Sequence, residues 1–217
     1  MARKISASVS DEQLQEDLKK YRQHCLDLGA TDAKIIRSDT VVIDERVRAK
    51  CIYPKCGAYG TNVHCPPHAM DLDQVRRTVK SYRYGIFFRV QVPSEEIVGK
   101  QAVEQLLRNQ SHVYKMVGQV ESEAFFDGYH LALGYACGPC KFVFCPAIEC
   151  SALVTGQSCR HPMKSRSSME AAGMDVYTMA ARVAGMFIRL DDEAAPPTCL
   201  SAQTMHWFLY TSARVEE

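Results

Sequence analysis

Eight of the ten cysteines in this chain fall in two short segments, and no other feature limits the fold as strongly. The first segment reads Cys51-x4-Cys56-x8-Cys65-Pro66-Pro67. The second reads Cys137-x2-Cys140-x4-Cys145-Pro146-x3-Cys150-x8-Cys159. Both are irregular and broken by Gly and Pro, so they belong to loops rather than to the interior of regular elements. The remainder has to supply a scaffold that presents them. With 217 residues, 47% of them hydrophobic and 24% charged, the chain has enough apolar material for a core. We expect one domain over 1–217 with metal loops at 51–67 and 137–166.

The compartment decides what the cysteines are for. Met1-Ala2-Arg3-Lys4 leads into Ile-Ser-Ala-Ser without an apolar core, so no secretory signal is expected. No apolar run approaches the roughly 18 residues of a bilayer span. The net charge of +1 offers neither nucleic acid nor an anionic membrane a reason to bind. A cytoplasmic protein is the expectation. Reducing conditions there disfavour disulfides, and cysteine-rich chains in that setting bind metal or carry out redox chemistry.

The scaffold reads as a mixed α/β domain. Leu14, Leu18, Tyr21, Cys25 and Leu28 share one face of a helix over 11–28 that Gly29 ends. Ala33–Ile36 and Val41–Ile43 read as strands, and Val47, Ala49 and Cys51 alternate with charged residues as in a half-buried strand. Asp71 and Gln74 predict a capped helix. Ile86–Val92 is strand-like up to Pro93, and Ser94 opens a helical pattern that runs to about Gly134. Within it, Ala124, Gly128 and Ala132 recur every four residues. Ser167-x-x-Glu170 reads as a capping box before a short helix ended by Gly173, and Asp175 caps another ended by Gly185. Met186–Leu190 and Met205–Thr211 are the last strand candidates.

A [4Fe–4S] cube needs thiolates converging from several directions, which irregular loops with small residues provide, and a proline after a ligand cysteine recurs in ferredoxin loops. Here that proline occurs at Cys65-Pro66 and Cys145-Pro146. A structural zinc site gathers short C-x2–4-C pairs, a form that Cys137-x2-Cys140 approaches, so zinc stands as the alternative. Cys140, Cys145, Cys150 and Cys159 complete one set of four. Cys51, Cys56 and Cys65 are three of a second set, for which Cys137 is the natural fourth. Cys199, His64 or an open iron are the other ways to fill that position.

The string Lys50-Cys51…Cys56-x2-Tyr59-Gly60…Cys65-Pro66-Pro67, with Gly138-Pro139-Cys140…Cys145…Cys150…Cys159-Arg160-His161-Pro162…Arg166-Ser167-Ser168-Met169-Glu170-Ala171…Gly173-Met174-Asp175-Val176, resembles the predicted metal-binding proteins of domain-of-unknown-function family 2284. The similarity runs from about residue 30 to about 190. It implies metal binding through these cysteines, and the family's occurrence in anaerobes and methanogens implies iron–sulfur chemistry and anaerobic metabolism. It implies no particular reaction.

Outside the loops, Arg160, His161, Lys164 and Arg166 form a basic group that either steadies an anionic cluster or substrate or simply solvates a helix start. His64 and His68 read as ordinary loop histidines. Cys25 reads as a core residue, and so do Tyr82, Tyr84, Phe87, Phe88 and Trp207. Asp44 and Glu45 read as a charge pair at an element's end. The functional expectation is an iron–sulfur protein with two [4Fe–4S] clusters that exchanges electrons with a redox partner protein. Its alternatives are an enzyme whose three-cysteine cluster takes a small-molecule substrate, and a zinc module.

Overall fold

A computed structural model of the chain describes residues 9–93 and 102–183 together with the backbone of 204–211. Helix α1 (Asp11–Asp27) starts where the Ser10 side chain accepts from Gln13 N. Asp11 and Glu12 complement the positive end of its dipole. Its inward face is Leu14, Leu18, Tyr21 and Cys25, as the spacing predicts, with Leu28 at the C-cap and Gly29 beyond it at φ +105°. Strand β1 (Asp32–Arg37) follows, then a turn of 3-10 helix over Ser38–Thr40.

Two strands expected next do not form. Of Val41–Ile43 only Ile43 pairs, in an isolated antiparallel bridge to Met174. The alternating stretch that ends at Cys51 is helix α2 (Glu45–Ile52). Asp44 accepts from Arg46 N and so caps α2, and none of its residues is buried. The alternation therefore reflected no buried face, and the local cap prevailed.

Helix α3 (Leu72–Lys80) carries the expected capping box between Asp71 and Gln74, with Val75 and Val79 inward. Strand β2 (Tyr84–Gln91) and helix α4 (Ala102–Phe126) come next. The four-residue repeat of small residues does not continue along α4. Gly128 lies past its end at φ +99°, where Gly128 N and Tyr129 N cap the carbonyls of Phe125 and Ala124. Then come β3 (Leu133–Tyr135), α5 (Cys140–Phe144), α6 (Val176–Arg182, capped by Asp175) and β4 (Thr204–Thr211). The readings at Ser94, Gly185 and Met186–Leu190 lie outside the described residues, as does Cys199.

The fold is mixed α and β. Its sheet is antiparallel throughout, in the order β1-β2-β4-β3. Side chains alternate across β2. Ile86 and Phe88 pack with α1 and α4 through Leu18, Tyr21, Val113 and Val117. Phe87 faces the other way, toward Val75, Val79, Met169 and Met174. Each such fully buried side chain contributes roughly 1.5–3 kcal/mol from area alone. Cys137 and Cys140 are part of the first cluster, so the second cysteine loop grows directly out of the core. Among the described residues no helix is long and apolar enough to cross a membrane.

Residues 167–174 form a turn rather than the expected short helix. Ser168 makes a parallel bridge with Ala136, closed by Ala136 N to Ser167 O (2.8 Å) and Met169 N to Ala136 O (3.0 Å). The capping geometry is shifted by one residue. Ser168 Oγ accepts from Ala171 N (3.0 Å), while Ser167 Oγ donates to His64 O (3.3 Å). That second bond ties the turn to the first cysteine loop.

Candidate metal centre

The first loop folds on itself by local hydrogen bonds. Cys51 lies in the last turn of α2 and accepts from Cys56 N through its carbonyl (3.1 Å), Gly60 N reaches Pro66 O (2.8 Å), and His68 N reaches Cys65 O (3.0 Å). Asn62 is buried, and its Oδ1 accepts from His64 N (3.0 Å), an Asx turn that sets the path into Cys65. In this loop Cys65 is buried, Cys51 partly so, and Cys56 exposed.

The second loop leaves β3 at Cys137. Tyr114 from α4 donates to Gly138 O (2.9 Å), Cys140 opens α5, and Lys141 Nζ holds Cys145 O (2.6 Å) and Ile148 O. Ser151 Oγ donates to Ser158 O (2.7 Å) and Arg160 to Glu149 O (2.7 Å). Cys159 Sγ lies 3.3 Å from both His161 N and Ser165 Oγ. A second shell of this kind is what orients ligand sulfurs. The nine described cysteines are free thiols.

The two loops meet. Cys140 Sγ is 3.7 Å from Asn62 Oδ1, and Asn62 also hydrogen-bonds the Cys65 thiol, which moderates the upward pull of burial on its pKa. Burial pushes Cys140 up to about 12, and the charges of Cys65, Cys150, Cys159 and Cys145 add to it. Cys65 in turn feels Cys51 and Cys56. Cys51 is raised by burial first and then by Cys56, with Arg48 opposing. Burial raises Cys137 well above the usual thiol value, and Glu170 adds to that. Seven of the expected ligand cysteines thus share two overlapping charge neighbourhoods joined at Cys65 and Cys140, with Cys137 alongside.

Bare, burial keeps the thiols of Cys51, Cys65, Cys137 and Cys140 protonated. A cation reverses the balance, because thiolates that repel each other each gain from one shared positive charge. The donor set fits a soft, sulfur-binding metal or cluster. Among the described residues, however, no group of three or more His, Cys, Asp or Glu side chains is drawn together tightly enough to hold a metal ion. The fit is one of chemistry and neighbourhood.

Other expected residues sort as follows. Arg166 forms a two-pronged ion pair with Glu121 (2.6 and 2.9 Å), shielded from solvent on both sides, so it anchors the loop to α4. Asp44 is a helix cap and Glu45 pairs with Arg76. Cys25, Phe87 and Phe88 are core residues, as read. His64 and His68 do more than decorate their loop. Together with Met70, Val75, Tyr135 and Ser167 they line a cavity of about 290 Å³ beside it. Burial, then the charge of Arg166, lowers the His64 pKa, so this imidazole is neutral near pH 7. Sequence reasoning missed Asn62 as the link between the loops and read Glu170 only as a cap. The signals were there: an Asn two residues before His64, and a lone acid in Met169-Glu170-Ala171-Ala172.

An antiparallel sheet packed with helices, carrying two cysteine-bearing loops that meet at Asn62, defines a protein of mixed α and β class. The chain belongs to the family described as Predicted metal-binding protein (DUF2284), whose pattern matches residues 34–209. Comparison with curated proteins and comparison with solved structures each found no match.

Proposed function

We propose that the chain is a cytoplasmic iron–sulfur protein with two [4Fe–4S] clusters that passes electrons to or from a partner protein. The observation that carries this reading is the meeting of Cys65 and Cys140, 75 positions apart in sequence, across the buried Asn62. Cys140, Cys145, Cys150 and Cys159 would hold one cluster. Cys51, Cys56 and Cys65 would hold most of the other, with the remaining position filled from the 137–170 segment. Bound clusters would supply one-electron chemistry. This chain's own residues bury Cys65, Cys140 and Cys150, and those at Cys65 and Cys159 also give hydrogen-bond partners, two of the levers that tune reduction potential. Two groups of thiols that overlap at one junction suit a short path for an electron between them.

The cavity beside His64 and His68 favours a second reading, in which the first loop's cluster activates a small molecule. Anaerobic purification with iron, sulfide and zinc quantification tests the first reading. A brown protein whose broad absorbance bleaches with dithionite is expected, and a colourless one with stoichiometric zinc would sink it. Loss of electron exchange with no change on adding small π-acceptor ligands separates carrier from enzyme.

A further inference from the structure

The cavity beside the first loop is built from four separate pieces of the fold. The loop itself, α3 through Val75, β3 through Tyr135 and the turn 167–172 enclose it. Its volume, about 290 Å³, is twice the ~150 Å³ in which an apolar cavity holds a single benzene ring. Hydrogen bonds within the protein fix the loop and the turn. His68 N and Ala69 N both reach Cys65 O (3.0 Å), and Ser167 Oγ donates to His64 O (3.3 Å). Ala136 N to Ser167 O (2.8 Å) and Ala172 N to Ser168 O (3.0 Å) set the turn. The cavity is therefore preformed, as small-molecule sites mostly are, and close-packed proteins leave few spaces of this size.

Its lining is graded from apolar to polar. Val75, Tyr135, Ala171 and Ala172 are buried and make an inner wall that is apolar apart from one phenol. His64 is half-buried, and His68 and Met70 are exposed, so these form the mouth. Among the described residues, the ring nitrogens of His64 and His68 have no hydrogen-bond partner. A neutral imidazole offers one donor and one acceptor. No Lys, Arg, Asp or Glu lines the cavity, so a charged guest would lose its water and find no counter-charge. We propose that this cavity binds an uncharged, mostly apolar molecule about the size of two fused rings, whose hydroxyl or carbonyl oxygen meets His64 or His68 at the mouth. As a binding site this stands on the cavity alone. As a substrate class it rests on the reading in which the first loop's cluster activates a small molecule.

Three probes separate the features of such a guest. 2-Naphthol has the rings and the oxygen, naphthalene has the rings alone, and 2-naphthoate adds a charge. Each is titrated into the anaerobically purified chain at neutral pH, with iron measured on the same sample. 2-Naphthol should bind one per chain with a dissociation constant of about 0.1 mM or below. Naphthalene and 2-naphthoate should bind at least about threefold more weakly. Ala172→Leu fills the inner wall and should weaken 2-naphthol at least about tenfold. Ala69→Leu, at a half-buried lining position, makes the same test should Ala172→Leu fail to fold. The double variant His64→Ala/His68→Ala should bring 2-naphthol down to the affinity of naphthalene. A variant merely loosened in its fold would lose both ligands together. No saturable binding of 2-naphthol up to about 1 mM overturns the proposal. So does binding unmoved by the leucine variants, or naphthalene or 2-naphthoate bound as tightly as 2-naphthol. The expected pattern in a protein without iron upholds the site and ends the cluster reading. Absence of binding in an iron-loaded protein overturns the site and leaves the electron carrier standing.

Discussion

In the second cysteine loop side chains of the segment itself hold the turns around the cysteines, whereas the first loop is held largely by its own backbone hydrogen bonds. Cys159 receives its hydrogen-bond partners from His161 and Ser165, Lys141 pins the carbonyl of Cys145, and Arg160 pins that of Glu149. Arg166 then fastens the whole segment to α4 through Glu121, whose Oε2 also accepts from Gly134 N (2.7 Å). The first loop has one buried thiol and one exposed thiol, and two of its ties to the rest run through Asn62 to Cys140 and through His64 to Ser167. One loop is tied down chiefly by its own side chains and by Arg166. The other is built to be completed by metal and by its neighbour. Coupling between folding and binding should therefore be weak for the second loop and strong for the first.

The largest contrast should come from single cysteine removals on either side. Cys140 is buried in the core and feels thiols of both loops. Cys140→Ala should cost at least about four of about eight irons and leave the metal-free fold about 1–2 kcal/mol less stable. Cys56 is exposed, so Cys56→Ala should weaken metal binding at the first loop yet shift metal-free stability by less than about 0.5 kcal/mol. Iron analysis and urea unfolding of both variants measure this. Equal losses of metal-free stability would break the contrast.

Next in size is the anchor of the second loop. Arg166→Met leaves Glu121 shielded and without its cation, and should destabilise the protein by about 2–4 kcal/mol in urea unfolding. It should also raise protease cleavage within 137–166 more than within 51–67. Cleavage that rises first in 51–67 would mean that the first loop, too, depends on this pair.

How much of this was readable beforehand depended on whether the deciding interaction was local. The α1 stripe, the Asp71–Gln74 capping box and the Asp175 cap are encoded within a few residues, and all appear as read. The strand assigned to Val47–Cys51 failed for a local reason as well. Asp44 was read as one of a charge pair rather than as a helix cap, so a coincidental alternation was taken for a buried face. The helix expected after Ser167 failed for a non-local reason, because Ala136 captures the backbone of Ser167 and Met169 in a bridge that no reading of 167–173 alone contains. The same holds at the site. Cysteine spacing located the two cysteine-bearing loops, but they meet through Asn62, whose meaning depends on a segment that lies far off in sequence.

The smallest effect belongs to Cys25, which among the described cysteines is the one outside both loops. Cys25 is fully buried on α1 against the sheet, and burial pushes its pKa from the ordinary 9.0 up to about 12. Below pH 9 it is neutral whether folded or unfolded and contributes nothing to pH dependence. As pH rises past 9 the unfolded chain releases this proton while the folded chain retains it. Stability from this group is therefore lost progressively between about pH 9 and about pH 12. Cys25→Ala should cost about 1 kcal/mol at neutral pH from lost packing. The variant should then lose about 1 kcal/mol less than wild type between about pH 8 and about pH 10, so that the two metal-free proteins converge in alkaline urea titrations. If they stay parallel, the Cys25 thiol ionises in the folded state. The core would then be wetter at α1 than its packing implies, and the line between a structural thiol and the loop thiols would have to be redrawn.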